Sequence, residues 1–206
     1  MRGMWRIGLL GGLLLAGGAA ADYLETVPVF WRNLYPDGGR GLYCGKTFRA
    51  YDRRYNIEHV FPMGWVARQL RCGDRRQCRR RSRLFNRIES DMHNMYPARK
   101  DLNRDRGSYA YGIIKGERWV EPGCDFELDH RRHRAEPRPA VRGDIARAML
   151  YMADTYDLDL FRRQRDLLLK WHRQDPPDRE ERRRNRIIRR IQGNGNPWIE
   201  GKATRR

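Results

Sequence analysis

The stretch from Tyr55 to Trp65, "YNIEHVFPMGW", places a carboxylate beside an imidazole inside an apolar run of β-favouring residues. An unpaired carboxylate is costly in such surroundings, so Glu58 and His59 need partners from elsewhere in the chain. Residues 88–107, "IESDMHNMYPARKDLNRDRG", are dense in polar side chains. The candidates in this second run are Glu89, Asp91, His93, Asn94 and Asn103.

Together the two runs contain the residue types that hydrolysis of a phosphodiester requires. The reaction needs a base that activates water, a cation that stabilises the charge on phosphorus and on the leaving oxygen, and a group that holds the phosphate. Imidazole, with its near-neutral pKa, suits the base, and carboxylate and amide oxygens suit Mg²⁺. These residue types indicate phosphodiester hydrolysis if the fold brings the side chains together.

The chain is strongly basic, with 44 Lys and Arg residues against 26 Asp and Glu residues and a formal net charge of +18. Arginine makes up almost all of the surplus, and its planar fork matches phosphate oxygens. This composition indicates a polyanionic partner, with nucleic acid first and an anionic membrane surface second. The arginine runs at 79–81 and 182–184 also fit a solvated basic surface, and charge alone does not distinguish binding from cleavage.

Residues 1–21 have the layout of a secretory signal peptide. Arg2 and Arg6 precede a short apolar stretch interrupted by glycines, and small residues at 19–21 precede Asp22. The apolar part is short for a bilayer span, although an uncleaved membrane anchor remains the alternative. No later segment is apolar enough to span a membrane, so we expect a periplasmic or secreted protein.

Four cysteines are present, at positions 44, 72, 78 and 124. In an exported chain disulfides form and persist, and four cysteines allow three pairings. The short loop between Cys72 and Cys78 favours that pair, which leaves Cys44 with Cys124. Zinc binding is the alternative, and it is disfavoured because no C-x-x-C or H-x-x-x-H pair accompanies the cysteines.

The remaining sequence predicts an α+β fold in which helices predominate. Residues 22–50 are rich in Gly, Pro and aromatic residues and favour loop with short extended pieces. The run "NIEHVF" favours a strand that ends at Pro62. Residues 131–141, "RRHRAEPRPAV", favour an exposed connector.

Helical spacing of apolar residues predicts helices at several later positions. The last of them should end at Gly193, with Pro197 preventing the helix from resuming. The apolar positions that carry these predictions are Val66 and Leu70; Leu84 and Ile88; Ile145, Met149 and Met152 within 142–156; Phe161, Leu168 and Trp171; and Ile187, Ile188 and Ile191.

Four separated motifs closely resemble the bacterial endonuclease I family of periplasmic or secreted nonspecific nucleases. They are "NIEHVFPMGW", "CGDRRQC", "IESDMHNMYPARKDLNRDRG" and "RIIRRIQGNGNP", which occur in the family's order between about Leu42 and Trp198. The resemblance implies a ββα-metal (His-Me finger) core embedded in a predominantly helical single domain. That domain would span residues 22–199, between the signal peptide and a basic tail at 200–206.

The resemblance also implies one-metal catalysis and a role for each motif. His59 would be the general base, Glu58 and Asn103 would hold Mg²⁺, with Mn²⁺ or Ca²⁺ as substitutes, and Arg75 would contact the scissile phosphate. Hydrolysis would leave a 5′-phosphate. We expect a supporting shell of Glu89, Asp91, His93 and Asn94, and further phosphate contacts from Arg76, Arg79, Arg80 and Arg81.

The implied substrate is DNA and, by the same phosphate contacts, RNA, cleaved without sequence preference by a monomer. An alternative from another class is an exported arginine-rich protein that binds nucleic acid or another polyanion without catalysis. The presence of Glu58, His59 and Asn103 together argues against that alternative.

Several site residues have structural alternatives. Glu58 would also serve as a buried salt-bridge partner of an arginine, and Asn103 as a turn or cap residue. Arg76 lies beside Arg75 and competes with it for the scissile phosphate. The remaining histidines, at 130, 133 and 172, lie in polar or arginine-rich surroundings and are expected to be exposed rather than functional.

Overall fold

The computed structural model describes residues 22–203 of the chain. Helices make up most of the regular structure, which confirms an α+β fold with predominant helices. The α-helices are α1 (Tyr23–Leu34), α2 (Met63–Gln69), α3 (Arg75–Arg81), α4 (Arg83–Glu89), α5 (Lys100–Arg106), α6 (Arg142–Tyr156), α7 (Arg162–Gln174), α8 (Arg179–Gln192) and α9 (Pro197–Glu200).

The strands are short and form three small sheets within the described residues. The first sheet pairs β1 with β2, the second pairs β3 with β4, and the third has the order β5-β7-β6. The strands are β1 (Gly38–Arg40), β2 (Thr47–Arg49), β3 (Tyr55–His59), β4 (Met95–Arg99), β5 (Ala110–Tyr111), β6 (Glu127–Asp129) and β7 (Arg134–Glu136).

The antiparallel pair β3–β4 and the helix that follows it carry most of the candidate residues. Glu58 pairs with Tyr96 and His59 with Met95, so the end of β3 lies against the start of β4. Helix α5 begins directly after β4 and contacts both strands. This arrangement brings Asn103 on α5 back to β3, to which it is hydrogen-bonded.

The expectation of loop for residues 22–50 is wrong for the first part of that range, which forms α1. The Asp22 side chain caps the helix by accepting a hydrogen bond from the Leu24 N–H at 3.0 Å. Pro28 removes one helical hydrogen bond, and the prediction from composition overestimated the cost of this loss. Burial of Phe30 and Leu34 in a small core offsets that cost.

Two further expectations need correction. Residues 131–141 are not only a connector, because Arg134–Glu136 form β7 and pair with both β5 and β6. Ala135 is fully buried in this strand. Its burial was not predicted because its neighbours in the sequence are charged. Pro197 does not prevent a helix but begins α9, since proline is well tolerated at a first helical position.

The remaining helix predictions are confirmed, including the end of α8 at Gly193, which adopts a left-handed conformation with φ of 86°. The larger core packs α6 and α7 against the helices and strands around the β3–β4 pair. Both predicted disulfides, Cys44–Cys124 and Cys72–Cys78, are present. In the sequence the second encloses the start of α3.

Within residues 22–203, none of the helices has the length and apolar character needed to cross a lipid bilayer. The predicted signal peptide at 1–21 lies outside the described residues, as do positions 204–206 of the predicted basic tail.

Candidate active site

A cleft of about 380 Å³ opens at the end of β3. Its walls come from β3, from α5, from the first turn of α3 and from the start of α1. The cleft brings together four residues that the sequence motifs singled out, although they lie up to 45 positions apart. These are Glu58, His59, Arg75 and Asn103.

Glu58 and His59 meet different partners because side chains alternate across a strand. The Glu58 carboxylate lies against Tyr43 and Arg106, while the His59 ring lies against Glu89 and Tyr23. Both residues still line the cleft, because β3 ends at His59 and its last side chains border the same opening.

The hydrogen bond made by His59 determines which ring nitrogen is basic. Nε2 lies 2.8 Å from the main-chain oxygen of Glu89. A carbonyl oxygen only accepts, so Nε2 donates and the lone pair of the neutral ring lies on Nδ1. Among the described residues, Nδ1 has no hydrogen-bond partner. Burial, reinforced by the positive charge of Arg75, lowers the pKa of His59 to about 4, so the ring is neutral at pH 7.

Glu89 connects His59 to the arginines of α3. Its side chain is fully buried and accepts hydrogen bonds from Arg75 and, at 2.6 and 2.8 Å, from Arg79. The main-chain oxygen of the same residue receives the His59 bond. One residue therefore orients the ring of His59 and the guanidinium of Arg75, whose side chain remains 47% exposed.

Glu58 is buried and held from one side. Its Oε1 accepts hydrogen bonds from the Tyr43 hydroxyl at 2.8 Å and from Arg106 Nη1 at 2.7 Å. Burial raises the pKa of the Glu58 carboxyl above its ordinary value, while Arg106 and Tyr43 oppose that effect. Within the described part of the chain Oε2 accepts no hydrogen bond, so one oxygen of the carboxylate remains available in the cleft.

Asn103 is oriented by two hydrogen bonds through its amide nitrogen. Nδ2 donates to the Ile57 main-chain oxygen at 3.0 Å and to Asn56 Oδ1 at 2.9 Å. Because the Ile57 carbonyl must receive an N–H, the amide oxygen of Asn103 points elsewhere. No described residue donates to that oxygen.

The cleft residues fit a hard divalent cation. Glu58 Oε2 and Asn103 Oδ1 are both acceptors without a protein donor in the described structure, and both side chains line one cleft. Carboxylate and amide oxygens are the ligand types that Mg²⁺ and Ca²⁺ select. Glu58 also forms the buried salt bridge with Arg106 that the sequence offered as its alternative role, and it does so through its other oxygen.

The other predicted supporting residues, Asp91, His93 and Asn94, do not line the cleft. Asn94 holds the turn after β3 by accepting from the Phe61 N–H at 2.6 Å and donating to the Phe61 oxygen at 3.0 Å. Asp91 accepts from the hydroxyls of Tyr151 and Tyr156, and His93 contacts the main-chain oxygen of Asn194. Asp91 and His93 therefore join the β4 region to α6 and to the segment after α8.

The predicted phosphate-contacting arginines divide into two groups. Arg79 is engaged by Glu89 and its guanidinium lies 4.9 Å from the centroid of the Tyr23 ring. Arg76, Arg80 and Arg81 are exposed and form no ion pair with any described residue. Arg75 lines the cleft, whereas Arg76 does not.

The three remaining histidines fit their predicted exposure only in part. His130 and His133 are exposed, whereas His172 is half-buried with its ring 5.2 Å from that of Trp198.

The Endonuclease I family model matches residues 34–202. The chain belongs to the endonuclease I family. It is similar to a periplasmic deoxyribonuclease and an extracellular deoxyribonuclease of Aeromonas hydrophila, each 42% identical over 151 residues, which is 71% of this chain and 63% and 65% of those relatives. An extracellular ribonuclease of Bacillus subtilis is 34% identical over 129 residues, 54% of this chain and 43% of the relative. The chain spans just under two thirds of the length of the two deoxyribonucleases.

In this member of the endonuclease I family, three residues near the cleft escaped prediction from sequence. Tyr23 lies in a range expected to be loop, and Tyr43 in a loop far from the motifs. Arg106 occurs three residues after Asn103, a spacing that places both side chains on one face of α5, and this signal was available.

Proposed function

We propose that this member of the endonuclease I family is a sequence-nonspecific endonuclease that hydrolyses phosphodiester bonds of DNA and RNA. The observation that carries the proposal is the convergence in one cleft of His59, Glu58, Asn103 and Arg75. No residue between 22 and 203 donates to the acceptor atoms of the first three. On this proposal β3, β4 and α5 are the two strands and the helix of a ββα-metal core.

His59 acts as the general base. Nδ1 accepts a proton from a water molecule, while the Glu89 carbonyl holds the ring by its Nε2–H. The low pKa keeps the ring unprotonated in the free protein. An approaching phosphodiester brings negative charge, which favours the imidazolium and strengthens the base when the substrate is in place.

Glu58 and Asn103 would hold the divalent cation, which when bound supplies positive charge to the phosphate and to the departing 3′-oxygen. We propose Mg²⁺ as this ion, with Mn²⁺ or Ca²⁺ as substitutes. Arg106 neutralises part of the Glu58 charge and keeps the carboxylate in one orientation, so that Oε2 faces the cleft.

Arg75 binds a phosphate oxygen of the substrate. Its guanidinium lies at the cleft and is anchored by Glu89, which limits the rotamer entropy lost on binding. The exposed Arg76, Arg80 and Arg81 extend the positive surface for neighbouring phosphates. Since phosphate contacts do not read bases, cleavage is independent of sequence and extends from DNA to RNA. Relatives named as deoxyribonucleases and as a ribonuclease support that range.

We also propose that the protein is exported and acts as a monomer. The relatives described as periplasmic and extracellular support export, and so do the four cysteines, all of them in disulfides.

The test is digestion of supercoiled plasmid and of single-stranded RNA in Mg²⁺, with EDTA as the control. We expect cleavage of both substrates, loss of cleavage in EDTA, and product ends that a ligase reseals, because resealing requires a 5′-phosphate. Retardation of intact plasmid in a gel without cleavage in Mg²⁺ would instead support the alternative of a noncatalytic polyanion-binding protein.

A further inference from the structure

A second group of acidic side chains lies away from the cleft. Glu117, Asp125 and Glu127 each place a carboxylate oxygen within 4.8 Å of the others. Glu127 begins β6, and Asp125 lies two residues before it. Glu117 comes from the preceding segment, which runs alongside through the bond from the Val120 N–H to the Phe126 oxygen at 2.9 Å.

The charge of this carboxylate group is unbalanced. None of its three members forms an ion pair with a Lys or Arg of the described structure, although the chain carries 44 such residues. Three converging carboxylates repel one another, and each favours a nearby positive charge. Among the described residues the nearest electrostatic support is Arg138, which acts on Asp125 without forming an ion pair, so three carboxylates without a direct cationic partner point to a cation from solution.

The buried member of the group gives independent support. The Glu127 side chain is largely buried, with the residue 3% exposed, and its Oε2 is buried without any hydrogen-bond partner in the described residues. A buried carboxylate oxygen without a partner is unfavourable. A metal ion held between Glu127, Asp125 and Glu117 would satisfy this oxygen.

We infer that Glu117, Asp125 and Glu127 form a calcium site distinct from the catalytic cleft. The three carboxylate oxygens lie close enough together to share one cation. Ca²⁺ takes carboxylate oxygens in an irregular shell, whereas Mg²⁺ demands a near-ideal octahedral shell, so three carboxylates from two separate segments fit Ca²⁺ better. The ion would stabilise the loop next to the Cys44–Cys124 disulfide and take no part in hydrolysis.

The probe is Tb³⁺, which occupies calcium sites, followed by displacement with Ca²⁺. Trp119 is a built-in sensitiser, because its Nε1 donates to Glu117 Oε2 at 3.2 Å. The background is the variant Glu58→Gln/Asn103→Ala, which removes the anionic ligand and the amide ligand of the cleft and leaves Arg106 a hydrogen-bond acceptor. We expect one saturable Tb³⁺ signal in this background, displaced by Ca²⁺, together with a higher melting temperature in Ca²⁺.

Three further variants in the same background separate the outcomes. Glu127→Gln keeps the side-chain volume, and Glu117→Gln changes an exposed position that does not threaten folding. We expect each to weaken Ca²⁺ binding at least tenfold. Asp129→Asn removes a carboxylate of the same strand that is instead paired with Arg132, and it should leave Ca²⁺ affinity unchanged. The inference is overturned if the background variant shows no saturable site, or if Glu117→Gln binds Ca²⁺ as tightly as the background. Neither readout depends on nuclease activity.

Discussion

Replacement of Arg106 by methionine should lower the free energy of unfolding by about 3–5 kcal/mol, the cost of removing one partner from a buried ion pair. The side chains of Arg106 and Glu58 are each 1% exposed, and Arg106 Nη1 lies 2.7 Å from Glu58 Oε1. The guanidinium also donates to the main-chain oxygens of His59 and Val60, which would lose their partner. Because Arg106 Nε is itself buried and has no hydrogen-bond partner in the described part of the chain, methionine recovers part of the cost, and we expect the lower end of the range.

The assay is urea unfolding followed by circular dichroism, with both disulfides intact. A double-mutant cycle with Glu58→Gln separates the charge from the packing. In the Glu58→Gln background, Arg106→Met should cost at least about 1 kcal/mol less, since no carboxylate charge is left unpaired. The assignment of Arg106 as the partner of Glu58 would be refuted if Arg106→Met alone lowered the free energy of unfolding by less than about 1 kcal/mol. It would also be refuted if the effects of Arg106→Met and Glu58→Gln added to within about 0.5 kcal/mol in the double variant.

Four other outcomes follow from the structure. As the pH is lowered, kcat/KM for plasmid cleavage should begin to decrease only well below pH 6.5, because burial lowers the pKa of His59 to about 4. As the pH falls, the unfolded chain protonates at His59 before the folded protein does. The stability contributed by His59 is therefore complete above about pH 6.5 and is lost as the pH falls towards 4. Urea unfolding at a series of pH values measures this loss. A decrease of kcat/KM centred at the ordinary pKa of histidine would contradict the assignment of His59 as the general base. Replacement of Cys44 and Cys124 by alanine should lower the free energy of unfolding, measured in urea, by about 4.5 kcal/mol. The chain-entropy model gives this value because the disulfide closes a loop with a sequence separation of 80. An unchanged free energy of unfolding would refute that model for this protein. For DNA binding in EDTA, Arg80→Gln should reduce the slope of log K against log salt by about 0.9, whereas Arg132→Gln, at a residue paired with Asp129, should not change it.

The sequence allowed prediction of the elements and residues whose signals are local. Helical spacing located α6, and a short loop identified the Cys72–Cys78 disulfide. The run around Glu58 and His59 identified two of the residues that line the cleft, because an unpaired carboxylate in an apolar strand requires a partner.

What escaped prediction depends on contacts between distant segments. Helix α1 forms because its apolar face is buried in a core whose other members come from later in the chain. Glu89 binds two arginines with its side chain and His59 with its main-chain oxygen. These contacts form only when α3, α4 and β3 come together in the fold. Composition and spacing do not encode such a network.

The central claim is that His59 is the base that activates water, and the rate of plasmid cleavage by His59→Ala in Mg²⁺ tests it most directly. General-base catalysis typically contributes about 10²–10⁴-fold to a rate. We therefore expect His59→Ala to cleave at least about a hundredfold more slowly than the wild type, while its affinity for DNA in EDTA stays the same, because Arg75 and Glu89 remain. Cleavage by His59→Ala within tenfold of the wild-type rate would contradict the account.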